Sequence, residues 1–250
     1  MIGAMSGPGP GSDAPRAAHR EPEIRPASDR TLLVSFDDRI AAGDRFDQGA
    51  HQEVLRLLGL LDTEPLPGIV DLSPAYASIL VRFDPLVTDH DRVIGHVQRL
   101  LPRLGSARPP AARVVEIPVC YGGEFGPDLE DVAQFAALSR EETIALHAGR
   151  TYDVFFLGFS PGFAYLGVVP DAIACPRLTR PRRQVPAGSV GIAGSQTGVY
   201  PHATPGGWRI IGRTPLLMFD AGSTPMSRLS IGDQVRFVPI DPERYWEMHR

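Results

Sequence analysis

The 250-residue chain contains no lysine, and all 25 of its basic residues are arginine. Without lysine the chain has no Schiff-base nucleophile, no lysine general base and no lysine for a phosphate-binding P-loop. Alanine, glycine, proline and arginine are all abundant, so genomic base composition explains the bias most simply. The chemical exclusion holds whatever the origin of the bias.

Other scarcities narrow the class of protein. The two cysteines, Cys120 and Cys175, form no CxxC spacing, so we expect two small buried side chains and neither a zinc site nor a disulfide framework. No HxH or HExxH pattern occurs, and no metal site is predicted. Apolar runs are too short to cross a bilayer and the first residues lack the apolar core of a signal peptide, which predicts a cytoplasmic protein. The net charge of −4 argues against a general nucleic-acid surface.

Composition divides the chain into three parts. Residues 1–28 are rich in Gly, Pro, Ala and charge without periodicity, and they are predicted to be a disordered tail. The polar, proline-bearing segment "LGSARPPAAR" (104–113) is a plausible linker. We therefore expect one domain over 29–110 and a second over 111–250.

The first domain alternates strand and helix patterns. Residues 31–36 read as a strand, and a helix follows whose inward face comprises Phe46, Ala50, Val54, Leu57, Leu58 and Leu61. A strand pair flanking Pro74 comes next, and a second amphipathic helix carries Val93, Ile94, Val97, Leu100, Leu101 and Leu104 on one stripe. The order β-α-β-β-α predicts a split βαβ, ferredoxin-like module of the α+β class.

The second domain is predicted to be a β-barrel. "RVVEIPVCY" reads as a strand, and Asp128 and Ser139 stand where helix N-caps are expected. Glu142 gives Ser139 the spacing of a capping box, and Gly149 is expected to end that helix. From Tyr152 onward, short strands punctuated by Gly and Pro favour a barrel over a parallel sheet.

Residues 172–219 contain no carboxylate and six arginines. Arginine presents a planar fork of donors that suits carboxylate or phosphate, so this stretch is a candidate anion receiver. Arg213 is the strongest candidate because it lies between apolar runs, where a charge needs a specific partner. Arg183 is a weaker one, since "PRLTRPRR" could equally be a solvated loop whose arginines pair with distant acids.

Glycine and hydroxyl groups crowd the centre of that stretch, "GSVGIAGSQTGVYPHATPGGW" (188–208). Its glycines fit neither the GxGxxG nor the P-loop pattern, so no nucleotide motif is present. Two readings remain open: tight barrel turns, or backbone that approaches a ligand closely. On the second reading, the ligand contacts are made by Gly194, Ser195, Gln196, Thr197 and Tyr200 beside Arg213.

Aromatic side chains surround a Ser-Pro-Gly turn in "GFSPGFAYL" (158–166). Core packing is one reading; because turns lie at surfaces, Phe159, Phe163 and Tyr165 could instead form a pocket wall or a partner interface. Trp208 is a further anchor for such a wall. His147, by contrast, reads as a packed or surface histidine.

Catalytic groups are sparse around these residues. There is no G-x-S-x-G, and the glycine-rich stretch offers as acid, base or nucleophile only His202, Tyr200 and hydroxyls. We therefore expect this chain to bind an anion and to form one half of an active site that it shares with another subunit.

Five segments together resemble a known family: "IPVCYGGEFGPDLEDVA", "FLGFSPGFAYLG", "RRQVPAGSVGIAGSQTGVYPHATPGGWRIIGRTP", "MFD" and "IGDQVRFVPI". This is the carboxyltransferase-domain subunit family, which includes allophanate hydrolase subunit 1, the B subunit of the prokaryotic ATP-dependent 5-oxoprolinase, and the KipI-type inhibitor of a sporulation histidine kinase. The resemblance spans about residues 30–245. Two departures are small: Ala164 stands where the family often has Pro, and the amino-terminal tail is additional.

The resemblance implies a small N-terminal α+β domain and a C-terminal cyclophilin-like β-barrel, without proline isomerase activity. It also implies a heteromeric complex with a homologue of the 5-oxoprolinase C subunit or of allophanate hydrolase subunit 2, and a third subunit in 5-oxoprolinase. There, ATP hydrolysis drives the opening of the 5-oxoproline lactam to glutamate.

Three functions follow as hypotheses. The leading one is a non-autonomous subunit of a 5-oxoprolinase-type amide hydrolase, in which Arg213 and the glycine-rich loop hold the carboxylate of a small substrate. The alternative is a regulatory protein that binds a histidine kinase, and the third is allophanate hydrolysis. ATP is expected to be used by the complex, because this chain carries no nucleotide motif.

Overall fold

The computed structural model describes residues 21–36, 48–109 and 111–249, which form a four-stranded sheet, a closed barrel and a two-stranded sheet, with associated helices. The elements of the first part are β1 (Glu23–Ser28), β2 (Thr31–Ser35), α1 (Gln48–Thr63), β3 (Ile69–Pro74), β4 (Ser78–Phe83) and α2 (His90–Leu100). Within the described ranges, no helix has the length and apolar character needed to span a bilayer.

The first sheet has four antiparallel strands in the order β1-β2-β4-β3. Strand β4 lies between β2 and β3, which is the arrangement of a split βαβ unit. The edge strand beside β2 is β1, which precedes the unit in the chain, whereas a ferredoxin-like module takes that strand from after its second helix. The predicted ferredoxin-like domain is therefore not confirmed; a four-stranded α+β sheet is what the structure has.

Local patterning predicted this core well. Ile79, Val81 and Phe83 alternate along β4 and Ala77 immediately precedes it, and all four are buried. Val93, Val97 and Leu100 of α2 pack in the same cluster as the three β4 residues. One boundary was wrong: β1 occupies residues expected in the disordered tail, because Ile24 and its neighbours pair in register with β2. Residues 1–20 and Phe46 lie outside the described residues.

The second part is built on a closed barrel of seven strands, ordered β10-β7-β6-β13-β5-β12-β9. Its elements are β5 (Val114–Tyr121), α3 (Leu129–Ala136), α4 (Arg140–Ala148), β6 (Thr151–Leu157), β7 (Ala164–Gly167), β8 (Arg182–Val185), β9 (Ser189–Ala193), β10 (Gln196–Val199), β11 (Thr204–Gly206), β12 (Arg209–Arg213), β13 (Gln234–Ile240) and α5 (Pro242–Met248). Strands β13 and β5 are parallel, and every other barrel pair is antiparallel. The predicted barrel is confirmed.

Helix ends follow the local chemistry with one exception. Ser139 and Glu142 form the predicted capping box of α4, and Gly149 is its C-cap. Asp128 stands at the N-cap of α3 but makes no side-chain cap bond. Its carboxylate instead accepts hydrogen bonds from the Ile210 backbone N–H and from Arg182.

The two parts meet through aromatic contacts. The ring of Tyr76, after β3, lies edge-on to Phe155 and Phe156 of β6, with centroids 5.3 and 4.7 Å apart. His51 of α1 contacts Phe155 with its ring and the Tyr76 carbonyl with Nδ1. Burial at this junction lowers the pKa of His51. The first part is thereby held against β6 and β7 of the barrel.

Candidate functional site

The glycine-rich stretch forms two strands of the barrel wall. Strands β9 and β10 are a hairpin whose turn contains Gly194, with φ +59°, and Ser195. Gly194 is exposed and its N–H donates to the Cys175 carbonyl, while the Ser195 carbonyl accepts from Val169. The barrel-turn reading thus accounts for this part of the stretch.

Two strand glycines make room for aromatic rings on the outside of the barrel. A Cβ on Gly198 would lie 3.2 Å from Trp208 and 3.3 Å from Phe163, and one on Gly191 would lie 3.1 Å from the Trp208 Cβ. Distances this short are tighter than ordinary van der Waals contact, so larger residues would displace the rings. Glycine at both positions lets the rings approach the sheet without that shift.

The aromatic residues predicted to form a wall instead form mainly a second core. Phe163, Tyr200 and Trp208 are buried together with Val185, Ala193 and Ile210, and Tyr165 packs against them half-buried. Arg177 lies over the Trp208 ring, 5.9 Å from its centroid.

Phe159 is the exception in this group, with 63% of its surface exposed and a left-handed φ of +68°. A non-glycine residue in this conformation is strained, and such strain is retained where surrounding structure or function demands it. Its role as an interface residue stays a prediction.

Thr197 points into the barrel and belongs to a buried polar chain. The Tyr121 hydroxyl lies 2.8 Å from His147 Nδ1, His147 Nε2 lies 2.9 Å from the Thr197 hydroxyl, and Thr197 donates to the Gly191 carbonyl. Burial lowers the pKa of His147 to about 3, so the imidazole is neutral at physiological pH. We refer to Tyr121, His147 and Thr197 as the inner network. The packed-histidine reading of His147 fits this placement, and the inner network faces no opening to solvent, since all three side chains are buried.

The arginines of the acid-free stretch divide into two groups. Arg182 pairs with Asp128 at 2.5 Å and Arg209 with Asp131 at 3.2 Å, so acids from α3 and its N-cap neutralise these two. Arg183 is exposed on β8. Arg213 is half-buried, and in the described ranges no ion pair joins it to a carboxylate.

Arg213 lies on the outer face of the barrel, opposite Ser189 of β9 and Cys120 of β5. Its guanidinium carbon is 6.0 Å from the centroid of Phe125, and Phe125 packs with Cys120 and Tyr245 of α5 in a small apolar cluster. Burial raises the pKa of Tyr245, an effect partly offset by the charge of Arg213 and a hydrogen bond to it. Arg213 Nε is buried and has no hydrogen-bond partner among the residues placed by the structure.

The strand register separates the predicted ligand residues. Tyr200 and Arg213 lie on either side of Ser189, because the Tyr200 N–H donates to the Ser189 carbonyl and Arg213 pairs with Ser189 on the other edge. Gln196 pairs with Ala193, at the far end of β9. Four residues along a strand span about 13 Å, so Arg213, Gln196 and Tyr200 do not converge on one cavity.

Sequence reasoning missed Ser189, Phe125 and Tyr245. Ser189 lay inside the glycine-rich stretch but gave no signal of its own, and the other two approach Arg213 from a loop and a helix remote in sequence. A separate open cavity of about 320 Å³ lies near the 217–228 loop and is lined by Arg113, Val115, Leu217, Asp220, Ser223, Pro225, Met226, Ser227 and Arg228. None of the predicted site residues lines that cavity.

Comparison with known proteins agrees with this architecture. Residues 22–229 match the family "Carboxyltransferase domain, subdomain C and D". A Bacillus subtilis protein, named as the B subunit of 5-oxoprolinase, is 40% identical over 233 residues, which cover 89% of this chain and 95% of the relative. A protein of Escherichia coli O157:H7 with the same name is 46% identical over 177 residues, covering 70% of this chain and 79% of the relative.

A solved structure, that of TTHA0988, superposes with a TM-score of 0.70 at 37% identity. The match covers 85% of this chain and 40% of the TTHA0988 chain. In that protein the fold is therefore part of a much longer polypeptide.

Proposed function

The chain belongs to the carboxyltransferase-domain family, subdomain C and D, and we propose that it is a subunit of an ATP-dependent amide hydrolase complex that opens 5-oxoproline to glutamate. The observation that carries this proposal is the near-full-length similarity to a relative named as the B subunit of 5-oxoprolinase, of which the match covers 95%. Similarity over almost the whole relative argues for a shared role more strongly than a shared fold would.

The geometry supports a protein that binds and does not act alone. Opening a lactam requires an activated nucleophile or a general base within hydrogen-bond reach of the reacting atoms. Around Arg213 the described residues are Ser189, Cys120, Phe125 and Tyr245, and burial raises the pKa values of both the Cys120 thiol and the Tyr245 hydroxyl. Raised pKa values disfavour the thiolate and phenolate forms, so neither group is primed as a nucleophile or base.

Further subunits complete the proposed assembly. The relatives are named as one lettered subunit of an enzyme, which implies others, and the TTHA0988 chain carries the fold within a longer polypeptide. We assign ATP to one of the other subunits, since this sequence contains no P-loop or other nucleotide motif. The expected partners are a homologue of the 5-oxoprolinase C subunit and a third subunit, and the expected substrate is a small carboxylate.

Reconstitution tests the proposal directly. The chain is co-expressed with its candidate partner subunits, and glutamate released from 5-oxoproline is measured with and without ATP. We expect release that requires ATP and that disappears when this chain is omitted. A complete set of purified, associated subunits that releases no glutamate, or that works equally well without this chain, contradicts the proposal.

A further inference from the structure

Arg213 has no carboxylate partner among the described residues, and its guanidinium hydrogen-bonds to the Tyr245 hydroxyl while its Nε–H has no acceptor there. It lies on the barrel's outer face with Cys120, Phe125 and Tyr245 around it, and all three of these side chains are buried. A charged group among apolar neighbours is costly unless an anion or hydrogen-bond acceptors satisfy it. Glu124, next to Phe125 in the chain, is exposed, and no ion pair between Glu124 and Arg213 is found in the described part of the chain.

Two other partly buried arginines on this surface, Arg182 and Arg209, have carboxylate partners that neutralise their charge. Asp128 accepts from Arg182 and from the Ile210 backbone, and Asp131 accepts from Arg209. These two acids neutralise the part of β12 and its surroundings nearest α3. Arg213, at the other end of β12, retains a buried Nε–H with no acceptor within the described ranges.

Ser189 supplies an independent observation. Its side chain is fully buried, at 0% exposure, and its hydroxyl has no hydrogen-bond partner among the described residues. A buried hydroxyl without a partner costs about 1–3 kcal/mol, and native proteins retain few of them. Directly paired residues of antiparallel strands point to the same face with Cβ atoms about 5 Å apart, so Ser189 and Arg213 present their free donors side by side.

The backbone packs closely around Ser189 and Arg213. Gly188, with φ +79°, precedes Ser189, and a Cβ there would lie 2.4 Å from the Thr214 carbonyl oxygen. Gly122 and Gly123, both left-handed, turn the loop that brings Phe125 over the guanidinium. The rings of Phe125 and Tyr245, with centroids 4.5 Å apart, then form an aromatic flank beside the two donors, and the Tyr245 hydroxyl hydrogen-bonds to Arg213.

We propose that Arg213 and Ser189 form a carboxylate-binding site, with the carboxylate accepting from the guanidinium and the serine hydroxyl and an apolar body lying against Phe125 and Tyr245. A planar guanidinium that offers Nε and one terminal nitrogen matches the two oxygens of a carboxylate. The ligand class is a small carboxylate with a compact apolar body. Identifying it as 5-oxoproline rests on the proposed function; the same chemistry could also come from a carboxylate side chain of another protein in the complex.

The test compares three variants in the assembled complex: Arg213→Gln, Ser189→Ala and the control Arg150→Gln, an exposed arginine outside this site that loses the same charge. If the substrate supplies the carboxylate, Arg213→Gln raises the KM for 5-oxoproline by about a hundredfold and Ser189→Ala by about tenfold, with unchanged assembly. If a partner side chain supplies it, both substitutions weaken association of the complex by similar factors and leave KM unchanged. The control stays within about twofold of wild type in both measurements.

Either pattern supports a carboxylate site, and the proposal is overturned if Arg213→Gln and Ser189→Ala both leave KM and association within about twofold of wild type. Should Arg213→Gln fail to fold, Ser189→Ala decides, because it removes only an unpartnered hydroxyl. If the wild-type complex releases no glutamate, the proposed function fails, and the site is tested by titrating the full chain and both variants with acetate and 5-oxoproline in a calorimeter. Binding by wild type that both variants lose supports the site; absence of binding by wild type, together with unchanged association of the variants, overturns it.

Discussion

The interior and the outer face of the barrel differ in whether their buried polar side chains find hydrogen-bond partners. Inside, Tyr121, His147 and Thr197 satisfy one another and the Gly191 carbonyl in a continuous chain of hydrogen bonds. On the outer face, Arg213 and Ser189 are directly paired residues of neighbouring strands. The buried Arg213 Nε–H and the buried Ser189 hydroxyl have no hydrogen-bond partner in the part of the chain described. A satisfied buried network stabilises a fold, whereas unsatisfied buried donors reduce stability, and a ligand that accepts from them is one explanation for their presence.

Replacing His147 with alanine is the strongest test of the inner network. It deletes a fully buried ring, leaves the Tyr121 hydroxyl without a partner and leaves Thr197 with only the Gly191 carbonyl, so we expect the free energy of unfolding to fall by about 4 kcal/mol. Urea denaturation measures this. His202→Ala, at a half-buried position that contacts Phe219, is the control and is expected to cost about 1 kcal/mol or less. Equal effects at the two histidines would contradict a structural role for the network.

Asp128→Ala tests how much an acid that neutralises one of the outer arginines contributes to stability. The substitution leaves a buried Ile210 N–H without its acceptor and Arg182 without its carboxylate. We expect a loss of about 3 kcal/mol in chemical denaturation. Arg182→Gln should cost only about 1 kcal/mol, because Arg182 is partly exposed while the Asp128 carboxylate keeps its backbone partner. A larger loss at Arg182 than at Asp128 would reverse this assignment.

Lowering the pH should reduce the free energy of unfolding through His147, which is neutral in the folded chain. The pKa of His147 is about 3 in the folded chain against 6.5 for a free imidazole, so the unfolded state binds more protons between these values. The neutral histidine therefore imposes no penalty above about pH 6.5, and stability falls by up to about 1.4 kcal/mol per pH unit as pH drops below it. Comparing wild type with His147→Gln isolates this slope, since His51, whose pKa is also lowered, is common to both. Parallel pH profiles for the two proteins would refute it.

Ser189→Ala is expected to have the smallest effect on stability. Because the hydroxyl is buried without a partner among the described residues, its removal should raise stability by about 1 kcal/mol, which corresponds to a melting temperature higher by about 2–4 °C. Thr197→Val, the matched deletion of a satisfied hydroxyl on the inner face, should lower stability by about 2 kcal/mol. If both substitutions destabilise the chain equally, the difference between the two faces does not exist.

Local sequence chemistry fixed much of the fold. The Ser139–Glu142 capping box, the alternation along β4 and the buried stripe of α2 all arise from contacts within one element or between an element and any apolar core. Such features follow from residue spacing alone. Strand β1 escaped prediction because its residues, including Pro26, have little strand propensity and are ordered by pairing with β2.

Only part of the candidate site could be predicted from the sequence. The absence of acids from 172–219 pointed to Arg213, but it pointed equally to Arg182 and Arg209, which acids from α3 and its N-cap neutralise. The expected cluster of Arg213, Gln196 and Tyr200 also depended on strand register, which places Gln196 at the other end of β9.

The sequence by itself determined the family and the barrel and predicted an anion site, because motif residues, turn signals and charge are properties of the chain read in order. Only the tertiary structure decided that acids neutralise Arg182 and Arg209 while Arg213 has no carboxylate partner in the described ranges, which hydroxyl pairs with it in the register and which aromatic rings lie beside it. Those facts depend on segments up to about 120 residues apart being brought into contact, and no local spacing encodes which distant acid reaches which arginine.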